Sequence, residues 1–247
     1  MKIRLPFITE KKASQVDAVG AMISTSIFCL IFFAIISIWF DEHLPVGMFD
    51  FFSEIDIKSG IMHAWPIFLW GGGFTAVVAI LTKNNRILNE DAEGHMVKGF
   101  WSSAAAGFFE EICFRWALFL SATIGVQFVN WLFLGFVDGW MGPIKWLHLT
   151  IFGPLATFMT FGAARDLMLG MGWVIGAAIL SANAKFRDGH KYLGIIGVIN
   201  SWYIGLYLFY VAFAFGLPAA IIVHFLYDLL IHAVIYVDRV FERWMDR

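Results

Sequence analysis

Charged residues are scarce in this chain of 247 residues: 17 Lys and Arg and 19 Asp and Glu, 15% in all. An average soluble domain carries roughly 25%. A water-soluble protein of this length needs a polar skin, and there is too little charge here to make one. The net charge of −2 also provides no field to steer nucleic acid, so a DNA or RNA partner is excluded. Cysteine is scarcer still. Cys29 and Cys113 stand alone in apolar runs, which excludes a disulfide framework or a cysteine metal cluster. What the chain has instead is apolar surface: 60% hydrophobic residues, 27 Phe and 11 Trp, at a mean hydropathy of +0.75. Lipid must be the solvent for most of it.

A helix that crosses a bilayer needs roughly 20 apolar residues with few charges. Residues 18–40, 61–81, 167–184 and 192–215 contain no charge. Residues 142–164 contain only Lys145, 217–237 only Asp228, and 100–137 three charges. Alternating ten-residue strands of a membrane barrel are absent. The expected fold is all-α, a polytopic membrane helical bundle forming one integral membrane domain over 1–247. The stretch 100–137 is too long for one untilted α-helix, and a break near 121–125 would make two. That sets the count at seven to eight transmembrane helices.

Charge balance favours eight. The basic residues Lys2, Arg4, Lys11 and Lys12 precede the first apolar run, which is too long for a cleaved signal segment and reads as a retained anchor. They place the N-terminus in the cytoplasm, in the plasma (inner) membrane. Residues 41–60 are acidic and suit the far side. An even number of crossings returns Lys185, Arg187, Lys191, Arg239, Arg243 and Arg247 to the cytoplasm, with Arg165 outside. Trp39, Trp65 and Trp202 near span ends read as interfacial anchors. Gly71-Gly72-Gly73 lies within an apolar run and lacks the Lys of a phosphate loop, so it reads as close helix packing or a bend.

Four charges remain inside the spans: Glu110, Glu111, Arg115 and Asp228. Each needs a partner or a watery cavity, because a bare charge at mid-bilayer costs several kcal/mol. Glu111 and Arg115 are four apart on one helical face, within ion-pair reach. Glu110 is rotated about 100° from Glu111 and faces elsewhere. His224 and Asp228 are also four apart, with His232 continuing their stripe toward the membrane edge. A buried ion-pair network is the bland reading of these groups; catalysis is the sharp one. The run Lys185 to Lys191 interrupts two apolar stretches and by itself reads as a solvated loop.

Three segments together resemble a known pattern. Glu110-Glu111-Ile112-Cys113-Phe114-Arg115 fits E-E-x-x-x-R. Phe186-Arg187-Asp188-Gly189-His190 fits F-x-x-x-H, and His224-Phe225-Leu226-Tyr227-Asp228 fits H-x-x-x-(N/D). In this order on membrane helices they resemble the CPBP (CAAX protease and bacteriocin-processing, Abi) family of intramembrane proteases. The resemblance covers about Gly99 to Ala233, within a CPBP-like core at 100–237, and leaves 1–99 as N-terminal helices outside the motif region. The chain departs from the family pattern in three ways. The separation of Glu110 from His190 is longer, Arg187-Asp188-Gly189 is more polar, and Asp228 stands where many members have Asn. His148 is the alternative second histidine. His190 ranks above it, because Phe186 is in place and Tyr192, Gly194, Gly197 and Asn200 follow.

The resemblance implies a hydrolase acting on a membrane-associated peptide or protein substrate. Glu110 would activate water, His190 and His224 would position it or stabilise the oxyanion, and Asp228 would complete the site. Glu111, Arg115 and Phe186 would support it. A divalent metal such as zinc, held by Glu110, His190 and His224, is one implied cofactor, and a metal-free glutamate mechanism is the other; no H-E-x-x-H decides between them. Two further readings fit intramembrane charges: a proton-coupled transporter, for which no internal repeat is found, and a non-catalytic immunity or partner-binding membrane protein.

Overall fold

The computed structural model of the chain describes residues 44–81, 92–191 and 194–245, with six helical positions between Ser24 and Ile35. The rest of the first apolar run, Trp39, Tyr192, Arg247 and the basic residues Lys2, Arg4, Lys11 and Lys12 lie outside the described residues.

The described residues are all-helical. α1 (Ile57–His63) starts at Asp56, whose side chain accepts a hydrogen bond from the Ser59 amide. α2 (Trp65–Leu81) follows after a break at Ala64. α3 (Ala92–Glu110) runs into a π-helical stretch, Glu111–Leu118, then into α4 (Phe119–Asn130) and a second π-helical stretch, Trp131–Gly135. α5 (Pro143–Leu147), a π-helical stretch (His148–Phe152) and α6 (Gly153–Met159) lead to a turn with positive φ at Phe161 and Gly162. A further π-helical stretch, Asp166–Gly170, precedes α7 (Trp173–Gly189). α8 (Gly194–Phe215) and α9 (Leu217–Met245) complete the bundle.

Three helices among the described residues are long and apolar enough to cross a membrane: Met96–Gly135, Gly197–Phe215 and Leu217–Phe241. This is a helical membrane protein. The expected break near 121–125 is absent, and Met96–Gly135 is one helical run of 40 residues. Ser121 bonds back to the Ala117 carbonyl within its own helix, and Gly125 faces open space. Neither residue forces a non-helical backbone. The departure from helical angles comes later, at Phe133 and Leu134 (φ 64°). At 1.5 Å per residue such a run spans about 60 Å, twice the roughly 30 Å hydrocarbon core.

The turn after that kink is held by a buried side chain. Oδ1 of Asn130 accepts from the amides of Ile144 and Lys145, both at 3.1 Å. It caps α5 from 14 residues away, because Gly142 at the helix entry has no side chain to do so. Between α8 and α9 the chain reverses at Gly216 (φ 89°), where a Cβ would collide with the Glu54 carbonyl; Pro218 then opens α9.

The core joins the stretch Glu111–Leu118 with α4, α7, α8 and α9. Phe51, Phe119, Phe209 and Phe213 interlock edge to face or tilted, with ring centroids 4.8–6.0 Å apart. The Trp116 indole donates to the Met48 carbonyl at 2.7 Å, pinning the loop before α1 to the bundle. α3 packs along α9 at Gly107, where a Cβ would lie 2.9 Å from the Ile221 carbonyl oxygen. The triple glycine acts in packing, with no bend. Gly71 lies under Tyr227 and Gly72 against Leu230, while α2 continues through Gly73. Of the other two anchor tryptophans, Trp65 is exposed, whereas Trp202 packs against the core.

Candidate active site

Helix geometry divides the two glutamates as their spacing predicts. Glu111 and Arg115 point into the core, and both are fully buried. Arg115 Nη1 lies 3.2 Å from Glu111 Oε1, and the same oxygen is 2.7 Å from His224 Nδ1 on α9. Glu110, one residue earlier at the end of α3, turns away and lines a cavity of about 270 Å³. Its Oε2 is buried and meets no hydrogen-bond partner among the described residues.

Four helices supply the cavity wall. α3 contributes Ser102, Ala106 and Glu110; α7 and its cap contribute Phe186 and His190. Asn200, Ser201 and Ile204 come from α8, and His224, Tyr227, Asp228 and His232 from α9. His224 Nε2 is 3.6 Å from Asp228 Oδ2, so its two ring nitrogens face two different carboxylates. His190 Nδ1 lies 2.9 Å from the Phe186 carbonyl, which can only accept; Nδ1 therefore carries the proton.

Phe186 links the buried charges to the histidines. The Arg115 guanidinium stacks 4.0 Å over its ring, the His190 ring is 4.7 Å away and the His224 ring 6.1 Å. The guanidinium makes no hydrogen bond among the described residues. Its charge is compensated by Glu111 and by the faces of Phe186 and, at 5.6 Å, Phe209. Gly205 admits this ring, because a Cβ there would lie 2.8 Å from Phe186 Cδ1.

The structure corrects one sequence expectation around the site. The run Lys185 to Gly189 is the last turn of α7, with His190 as its cap, rather than a solvated loop. Asp188 ties that end down, 2.6 Å from Arg187 and 3.0 Å from Lys191. Their hydrogen bonds, that of Arg187 first, hold its carboxyl below the usual carboxylate range. His232 continues the stripe of His224 and Asp228 into the same cavity as Glu110. His148 is elsewhere. It lines a second, mostly apolar cavity of about 360 Å³, and its Nε2 donates to the Met168 carbonyl at 2.7 Å.

Sequence reasoning assigned no role to Tyr227, Asn200 or Trp70. The Trp70 indole donates to Asn200 Oδ1 at 2.7 Å, and the Asn200 amide nitrogen donates to the Tyr227 hydroxyl at 3.2 Å. The positions of Tyr227 inside H-x-x-x-D and of Asn200 after His190 were the available hints.

Glu110, His190 and His224 share the cavity. Among the described residues, however, no three His, Cys, Asp or Glu side chains converge closely enough to hold a metal ion. The residues as placed do not fit a resident zinc.

Comparison of the chain with family models, with curated proteins and with solved structures returns no match.

Proposed function

We propose that this protein is an intramembrane endopeptidase, similar to CAAX proteases, that hydrolyses a peptide bond with water activated by Glu110. The observation that carries the reading is the unpartnered Oε2 of Glu110, buried in a polar cavity between apolar helices. A bare carboxylate there is costly unless water supplies its partner. The cavity has room for several molecules at about 30 Å³ each. A carboxylate facing water in a low-dielectric site, with two histidines beside it, suits general-base hydrolysis.

In this reaction Glu110 takes a proton from water as the oxygen attacks the peptide carbonyl. His190 and His224 orient the water and the substrate. Glu110 then returns the proton to the departing amine. Glu111, Arg115 and Phe186 hold the wall, and Asp228 orients His224. No step uses a metal.

The substrate is a membrane-associated peptide or protein, and the enzyme resides in the plasma (inner) membrane with a cytoplasmic N-terminus. We place the number of crossings at seven to eight. The positive-inside balance still asks for eight, although the Met96–Gly135 helix, continuous through 121–125, lacks the break that was to supply the eighth. Labelling of single cysteines from each side of the membrane decides the count.

The test of the reaction is a comparison of membrane proteomes from cells expressing the wild type and Glu110→Gln. A substrate should accumulate uncut in the variant, with the variant protein at wild-type level. Equal cleavage by both proteins would sink the assignment.

A further inference from the structure

The region before residue 100 reaches the reaction site. We infer that the hydroxyl of Tyr227 is the donor that stabilises the oxyanion, and that Trp70 and Gly71 of α2 hold it in place. This inference rests on the hydrolytic reading above and names a further catalytic residue for it.

The direction of each hydrogen bond follows from the donor inventory. An indole N–H only donates, so the Asn200 oxygen must face Trp70 at 2.7 Å. The amide nitrogen of Asn200 therefore faces Tyr227, and the phenol oxygen accepts from it at 3.2 Å. The phenol proton is then left to donate elsewhere, and among the described residues it has no acceptor. Tyr227 lines the cavity that holds Glu110. The chain of bonds also polarises each successive donor in the same direction, from Trp70 through Asn200 to Tyr227. The ring has one seat: a Cβ at Gly71 would collide with Cε2 of Tyr227. Trp70 thus fixes the Asn200 amide, and Gly71 leaves space for the ring.

When water adds to the substrate carbonyl, the C–O π electrons move onto oxygen and the water proton goes to Glu110. The Tyr227 O–H donates a hydrogen bond to that oxygen and keeps its proton. On collapse the electron pair reforms the carbonyl, the C–N bond breaks, and Glu110 protonates the amine. A donor aimed at developing charge acts on turnover more than on substrate binding.

The test uses the full chain in detergent micelles with a library of fluorogenic, N-palmitoylated pentapeptides. Tyr227→Phe, which keeps the ring over Gly71, should lower kcat roughly 100-fold and leave KM within about twofold. Asn200→Asp should do the same, because a carboxylate accepts from both Trp70 and Tyr227 and captures the phenol proton. Trp70→Phe and Gly71→Ala should lower kcat by smaller factors, also at constant KM. Wild-type kcat in Tyr227→Phe, with Glu110→Gln inactive, overturns the inference and leaves the hydrolytic reading standing. A change confined to KM also overturns it. If the wild type cleaves no library member, or Glu110→Gln cleaves as fast, the reading and the inference fall together.

Discussion

Nδ1 of His224 on α9 lies 2.7 Å from Oε1 of Glu111, the same oxygen that Arg115 Nη1 approaches at 3.2 Å. One buried carboxylate oxygen thus serves a histidine from another helix and an arginine from its own. It joins the helix carrying both glutamates to the last helix of the bundle, next to the cavity that holds Glu110.

The adjacent glutamates should therefore respond oppositely to the same change. Glu111→Gln removes the charge that compensates a fully buried Arg115. Stability should fall by about 3–5 kcal/mol, as when one partner of a buried pair is removed. Glu110→Gln removes a desolvated charge with an unpartnered oxygen and should leave the protein as stable as the wild type or more so. Thermal unfolding of both variants in detergent measures the contrast.

Phe186 is expected to matter through its ring face. Phe186→Leu keeps an apolar side chain but removes the surface over which Arg115 sits at 4.0 Å. We expect a loss of about 1–2 kcal/mol from the cation–π contact, together with a lower kcat as His190 and His224 lose their shared neighbour. Phe186→Tyr, which keeps the ring, should restore stability. A Leu variant as stable as the wild type would show that Glu111 and Phe209 compensate the guanidinium without Phe186.

Chelators should leave hydrolysis unchanged. Glu110, His190 and His224 do not form a ligand group among the described residues. Activity should persist after incubation with phenanthroline and gel filtration, and elemental analysis of the active protein should find less than one zinc per chain. Loss of activity with phenanthroline, restored by added zinc, would show that the histidines rearrange around a metal.

The division of labour between Glu110 and Glu111 was legible in the sequence because it needs only the angle between successive helical residues. The pairing of Glu111 with Arg115 and of His224 with Asp228 follows from the four-residue spacing alone. Glu111 to His224 was not legible: 113 residues separate them, and nothing local aligns two helices. Trp70 escaped notice, and Asn200 and Tyr227 were given no role, for another reason. Searching apolar runs for charge finds carboxylates and guanidinium groups, whereas neutral donors look like any other span residue. The break expected near 121–125 failed because length was judged for a straight α-helix. Ser121 can satisfy its hydroxyl within its own turn, and Gly125 tolerates helical angles as well as any others. The Lys185 to Gly189 turn was misread because charge was taken as a sign of loop, although a helix end can also be solvated.

The π-helical stretch Glu111–Leu118 begins at the second glutamate and separates Glu110 from the rest of its long helix. Its hydrogen bonds reach one residue farther than those of an α-helix, so it holds surplus chain. A single residue deleted there would be absorbed by local rewinding to α geometry, and Phe119–Asn130 would keep its face toward the core. The same deletion placed before Glu110 would swing that carboxylate by about 100° away from the cavity. The segment beside the site is thus one where the chain can change length by a residue without losing its fold, while the segment ahead of it is not.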